Sequence, residues 1–234
     1  MDSNMTALSK YLRNLGLDFT KPGHCAGWLG RMLFAFVLVL PLSMPAQAAA
    51  AKILVVGDSL SAEYGLKRGS GWVNLMAQRL AEEKLPAQVI NASISGDTSS
   101  GGRSRLAALL RQHKPTIVLI ELGGNDALRG LPLDMTATNL RVMTQAAQKA
   151  GAKVVLLGMQ VPPNYGADYS EKFAGLFVTV AKDAKAGLVP FLLKGVADGA
   201  QASALFQADR IHPNEQAHPL MLANVWPELR KLIK

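Results

Sequence analysis

The sequence predicts an α/β protein built on a parallel sheet with helices on both faces. Short apolar, often β-branched runs alternate with stretches of helical spacing, five times over. The middle run, Thr116 to Leu122, is apolar almost without interruption, as a strand covered on both sides must be. Glycine or proline punctuates most of the joins.

The elements follow in order. Ile53 to Val56 reads as a first strand, ending at Gly57. Trp72 to Glu83 has helical spacing, with Trp72, Leu75, Met76 and Leu80 on one face. Val89 and Ile90 form a second strand leading into Asn91-Ala92-Ser93, and Leu106 to Gln112 reads as helix. After the third strand, Asp134 to Ala150 is helical and stops at Gly151. Val154 to Leu157 is a fourth strand, Tyr169 to Lys185 a helix, and Leu188 to Leu192 a fifth strand. Asn214 to Leu232 is a closing helix with Pro213 near its start.

The first fifty residues have a different character. Arg31 precedes the uncharged run Met32 to Leu42, and small residues follow in Ala46-Gln47-Ala48-Ala49-Ala50. A basic flank, a short apolar core and an A-x-A site together read as an export leader. The competing reading is a membrane anchor, but Pro41 and Pro45 interrupt the stretch, and its strongly apolar part is about half of the ~20 residues a spanning helix needs. The expected organisation is a leader over 1–48, removed near Ala48, and one exported domain over 49–234. The segment before Arg31 is long for such a leader, and translation starting downstream of Met1 would explain it.

Composition narrows the function. Hydrophobic residues make up 49% and charged residues 18%, which suits a globular core and excludes disorder. Removing Lys10, Arg13, Lys21 and Arg31 along with Asp2 and Asp18 lowers the formal net charge from +8 to +6. The basic residues are scattered, so a nucleic-acid partner is not expected. Cys25, the single cysteine, falls in the leader, which leaves the mature chain without a disulfide, a cysteine nucleophile or a lipid-bearing cysteine.

In open parallel sheets ligands bind at the carboxyl ends of strands, so functional residues should follow strands directly. Four polar clusters are read this way. Gly57-Asp58-Ser59-Leu60-Ser61 puts a hydroxyl on a tight turn, although Ser61 stands where the G-x-S-x-G elbow has its last glycine. Ser95-Gly96-Asp97-Thr98 and Gly123-Gly124-Asn125-Asp126 offer a glycine N–H and an amide donor. Asp209-Arg210-Ile211-His212-Pro213-Asn214 sets a carboxylate and an imidazole three residues apart in one loop. Singly these are a helix cap, two turns and a surface histidine. Together they supply the nucleophile, oxyanion donors, base and orienting acid that acyl transfer needs. Asp58 and Asp97 could instead form a carboxylate pair, but each is expected to order its own loop. His113 and His218 are alternative bases; His113 suits a helix end, and His218 a packing or surface position.

These blocks resemble the SGNH (GDSL-type) hydrolases in order and spacing: the GDSL block at Ser59, Gly96, the GGND block at Asn125, and D-x-x-H at Asp209 and His212. Asn91 to Thr98, Glu121 to Asp126 and Pro163-Asn164-Tyr165-Gly166 resemble the bacterial periplasmic thioesterase I, lysophospholipase and arylesterase group within that family. The resemblance implies a three-layer α/β/α sandwich, flavodoxin-like, with a five-stranded parallel sheet. It implies hydrolysis of acyl esters and thioesters, lysophospholipids among them, with no metal or cofactor. It also implies Ser59 as nucleophile, His212 as base, Asp209 as its partner, and an oxyanion hole of Ser59, Gly96 and Asn125. Two loops are candidate walls for the acyl chain: Leu128, Arg129, Leu131 and their neighbours, and Met159 to Tyr165 with Pro162. The alternative on the same residues is a carbohydrate or short-chain acetyl esterase. A binding module without turnover is a different class. A flavodoxin-like nucleotide binder is a third, but no G-x-G-x-x-G or Walker pattern follows the first strand.

Overall fold

The computed structural model describes residues 50–233, so the expected leader lies outside the described residues. The chain runs β1 (Ala51–Gly57), α1 (Trp72–Glu82), β2 (Ala87–Asn91), α2 (Ser99–His113), β3 (Ile117–Glu121), α3 (Gly124–Leu128) and α4 (Leu133–Lys149). It continues through β4 (Lys153–Leu157), α5 (Ala167–Ala184), β5 (Gly187–Val189) and α6 (His218–Arg230). All five strands are parallel, in the order β2-β1-β3-β4-β5. Helices α1 and α6 pack on each other, while α2, α4 and α5 pack together as a separate layer. The result is the expected three-layer α/β/α sandwich. Among the described residues, no helix is long and apolar enough to cross a membrane.

Burial explains the strand sequences. Ile53 to Val56 on β1 and Val118 to Ile120 on β3 have no exposed surface, because both faces of these central strands are covered. In this strand order the chain steps from β1 outward to β2 and then back across to β3. The topological switch point therefore lies between the carboxyl ends of β1 and β3. Those ends are in register, with Gly57 opposite Glu121, so the Ser59 and Asn125 blocks leave the sheet side by side.

Four boundaries differ from the sequence reading. Helix α2 begins at Ser99, not Leu106, because Thr98 caps it by accepting the Gly101 N–H, and its first turns carry no apolar stripe. Helix α3 spans five residues, too few to show a period. Strand β5 stops at Val189, before Pro190, which has no N–H to give the ladder. The closing segment divides into a 3-10 turn, Glu215–Ala217, capped by Asn214, and then α6 with Pro219 in its first turn. Pro213 instead forms an antiparallel bridge with Phe206.

Candidate active site

The turn after β1 is built by Asp58. Its Oδ1 accepts the Leu60 N–H at 3.0 Å, and its backbone carbonyl accepts from Ser61 and Ala62. This winding leaves Ser59 at the rim with its N–H undonated among the described residues. The Gly96 N–H is equally free. Gly96 sits at φ +79°, a conformation that side chains rarely adopt, which is why glycine occupies this turn.

The second half of the site comes from the far end of the chain. Ser59 Oγ lies 2.9 Å from His212 Nε2, and His212 Nδ1 lies 2.7 Å from Asp209 Oδ2. Asp209 Oδ1 also accepts the Ile211 and His212 N–H groups at 2.9 and 3.0 Å, so one carboxylate folds the loop and orients the ring. Those bonds, led by that from the His212 backbone N–H, hold the Asp209 carboxyl down at about 2. The ring of Tyr64 leans on the His212 imidazole, 4.3 Å between centroids and tilted by 39°. Such an aromatic face favours a cation beside it.

The order of elements corrects one expectation. The Asp209–His212 loop does not follow β5 directly: β5 ends at Val189, and Asp209 stands 20 residues further on. The intervening segment returns to the sheet edge and is anchored there. Gln207 Nε2 donates to Tyr64 O and Pro213 O, at 2.8 and 3.0 Å, and Asn214 Nδ2 donates to Ala204 O at 2.7 Å.

Asn125, at the start of α3, directs its side-chain amide toward Asp58 Oδ2 and the Asp97 carbonyl, both at 2.9 Å. It thus faces the Ser59 and Gly96 turns. Asp126, next along, is fully buried and accepts from Ser99 N–H at 2.8 Å, Ser99 Oγ at 2.5 Å and Thr136 Oγ1 at 3.2 Å. This network locks α3 against α2 and α4. Asp58 and Asp97 form no separate acid pair. Asp97 orders its turn through Thr98 N–H and pairs with Arg105 at 2.8 Å.

A cavity of about 640 Å³ opens beside Ser59 and His212. Its walls are mostly apolar, with Leu128, Met159, Val161, Phe191, Leu193 and Phe206 contributing. Of the candidate wall residues, Leu128 and Pro162 line the cavity, whereas Arg129, Leu131 and Tyr165 do not. Arg129 is drawn away to donate to Gly96 O at 2.9 Å, and Tyr165 stacks on Tyr169 instead. The wall from Phe191 to Phe206 went unforeseen, since its residues show no period and no polar motif.

The other two described histidines fall outside the site. His113 is the last residue of α2. His218 is buried, accepts the Trp72 N–H on Nδ1 at 3.0 Å, and has its pKa lowered by burial. It is a packing residue, and it ties α6 to the start of α1.

A hydroxyl, an imidazole and a carboxylate in hydrogen-bonded series, beside two free N–H groups at a sheet switch point, are the groups that ester cleavage requires. Fold and site together define a hydrolase of ester and thioester bonds. Comparison with known proteins agrees. The family model described as GDSL-like Lipase/Acylhydrolase matches residues 55–220. The chain is 54% identical over 187 residues to Esterase TesA of Pseudomonas aeruginosa, covering 80% of this chain and 92% of that one. It is 39% identical over 200 residues to Thioesterase 1/protease 1/lysophospholipase L1 of Escherichia coli K12, covering 86% and 92%. The solved structure of the psychrotrophic esterase EstA from Pseudoalteromonas sp., inhibited by monoethylphosphonate, matches with a TM-score of 0.72 at 43% identity, covering 77% and 97%. The chain belongs to the GDSL-like lipase/acylhydrolase family.

Proposed function

We propose that this hydrolase works through an acyl-enzyme on Ser59, with His212 as general base and acid and Asp209 holding the imidazole. The observation that carries the reading is the continuous series Ser59 Oγ, His212 Nε2, His212 Nδ1, Asp209 Oδ2, with contacts of 2.9 and 2.7 Å. Ser59 Oγ attacks the acyl carbonyl as His212 Nε2 takes its proton. The oxyanion lies among the Ser59 N–H, the Gly96 N–H and the Asn125 amide, where it competes with the Asp97 carbonyl for one amide hydrogen. The imidazolium, flanked by Asp209 and Tyr64, then protonates the leaving alcohol or thiol. Water repeats the sequence on the acyl-enzyme.

The substrates are small acyl esters and thioesters, including aryl esters and lysophospholipids, with no metal or cofactor in the reaction. The cavity favours an extended acyl chain over the acetyl-esterase alternative. Each CH₂ buried in a dry apolar groove contributes about 0.8 kcal/mol. The domain over 49–234 would act in the periplasm after a leader over 1–48 is removed near Ala48.

Three experiments test this. A fluorophosphonate should label the wild-type enzyme but not S59A; labelling of S59A would exclude Ser59 as nucleophile. Across p-nitrophenyl esters from acetate to palmitate, kcat/KM should rise with chain length and then level off. A maximum at acetate would favour the acetyl-esterase reading. Mass spectrometry of the exported chain should find a mature N-terminus close to Ala49.

A further inference from the structure

β3 ends in a carboxyl group that the mechanism above does not use. Glu121 is fully buried. Its Oε2 accepts the Asp58 N–H at 3.1 Å and the Ser61 hydroxyl at 2.8 Å, and Ser61 Oγ in turn accepts from Trp72 Nε1 at 3.2 Å. The chain makes room for this group. A Cβ on Gly57 would come within 2.7 Å of Glu121 Oε2 and 2.8 Å of Ser61 Oγ. Glu121 Oε1 has no donor among the described residues.

Asp58 is the titratable neighbour of Glu121, and itself faces Glu121 and His212. It is 2% exposed, and both of its oxygens already accept hydrogen bonds, Oδ1 from Leu60 N–H and Oδ2 from Asn125. Burial, with each carboxylate's charge opposing the other's, makes ionising both groups costly and favours keeping one proton on the pair. The pattern of donors locates it. Asp58 Oδ1 and Oδ2 and Glu121 Oε2 each accept a hydrogen bond, whereas Oε1 of Glu121 receives none and is the oxygen that gives up least by carrying the hydrogen. Burial, reinforced by the Asp58 charge, pushes Glu121 well above the usual carboxyl range.

We propose that Glu121 carries a proton on Oε1 and donates it to Asp58, so that Asp58 remains a pure acceptor and fixes the direction of the Asn125 amide. Glu121 is then a positioning residue for the oxyanion hole, acting through Asp58 and Asn125 without touching substrate. The inference rests on the reading of Asn125 as an oxyanion donor. It explains why an apolar strand ends in an acid, and why its neighbour across the sheet is glycine.

The test combines spectroscopy with a mutant cycle. Infrared difference spectra at neutral pH should show a protonated-carboxyl band in wild type and N125A that E121Q lacks. E121M removes the donor and should lower kcat by about tenfold, less than the ~10²–10³ lost when an oxyanion donor itself is removed, with little change in KM. E121Q places an N–H where Oε1–H stood and should restore most of that kcat. In an N125A background, E121M should cost little further kcat, because its effect passes through Asn125. Absence of the band would overturn the proton assignment. E121Q as impaired as E121M, or E121M equally damaging without Asn125, would overturn the positioning role. N125A with full kcat would refute the oxyanion reading itself, and the band would still report on the proton. Should E121M fail to fold, the band and E121Q decide the matter.

Discussion

Replacing Asp209 by asparagine should harm the enzyme more than replacing it by alanine. Asp209 Oδ1 accepts two backbone N–H groups, while Oδ2 faces His212 Nδ1. In D209N the amide oxygen must stay with the two N–H donors, because turning the amide over loses two bonds of about 0.5–1.5 kcal/mol each. The NH₂ group then faces His212 Nδ1 and forces the hydrogen onto Nε2, where it cannot accept from Ser59. Adding the lost charge-assisted bond to the imidazolium, about 1.5–3 kcal/mol, gives roughly 2.5–6 kcal/mol. That corresponds to about 10²–10⁴ in kcat. D209A loses the charge-assisted bond and both loop bonds, but it places no donor opposite Nδ1, and the freed N–H groups of the exposed loop are left to water, so only the charge-assisted bond bears on kcat. Its site is open to water, since the Asp209 side chain is 36% exposed, so the correct tautomer survives. The expected loss there is about 10–150-fold. The assay is steady-state hydrolysis of p-nitrophenyl butyrate, with ¹⁵N chemical shifts of the His212 ring reporting the tautomer. A D209N enzyme as active as D209A, or one with Nδ1 protonated, would refute the argument.

Other outcomes follow from the same geometry. N125A should lower kcat by about 10²–10³ while moving KM far less, because an oxyanion donor acts in the transition state; equal loss in binding alone would contradict the role. Asp209, held at about 2, is more acidic folded than unfolded, so its stabilising contribution is full above its ordinary value near 4 and disappears as pH falls toward 2. Acid titration should therefore show the stability gap between wild type and D209N closing over that window. G158A should destabilise the fold, since the added Cβ would meet the Pro190 carbonyl oxygen at 2.3 Å, where Gly158 bonds Val189 O and Leu192 N. Overpacking of about 1–3 kcal/mol and two weakened bonds of about 0.5–1.5 kcal/mol each predict a loss of roughly 2–6 kcal/mol. Thermal unfolding would check this, and an unchanged Tm would contradict it.

The sheet was legible in the sequence because burial on both faces leaves a simple mark. Ile53 to Val56 and Ile117 to Ile120 could hardly be other than central strands. The Ser59, Gly96 and Asn125 turns were legible for a related reason: short strands deliver them straight to the sheet edge. Helix α2 was half hidden, because its first seven residues, SSGGRSR, are held by a cap and a buried polar network instead of an apolar face. Glu121 was read only as part of the block running to Asp126 and given no role of its own, although a carboxylate in a strand buried on both faces is itself a signal. The walls at Arg129, Leu131 and Tyr165 were misjudged because adjacency in sequence does not fix where a loop side chain points.

By itself, the sequence determined the layered architecture and the chemical inventory, because strand burial and turn chemistry are local properties written residue by residue. Tertiary structure alone decided that a loop 20 residues beyond the last strand returns to set His212 against Ser59, which residues enclose the cavity beside them, and that two buried acids lie behind the Ser59 turn. Those are relations between distant segments. They depend on sheet register, on a few backbone hydrogen bonds closing a long loop, and on desolvation, and no short window of sequence records any of the three.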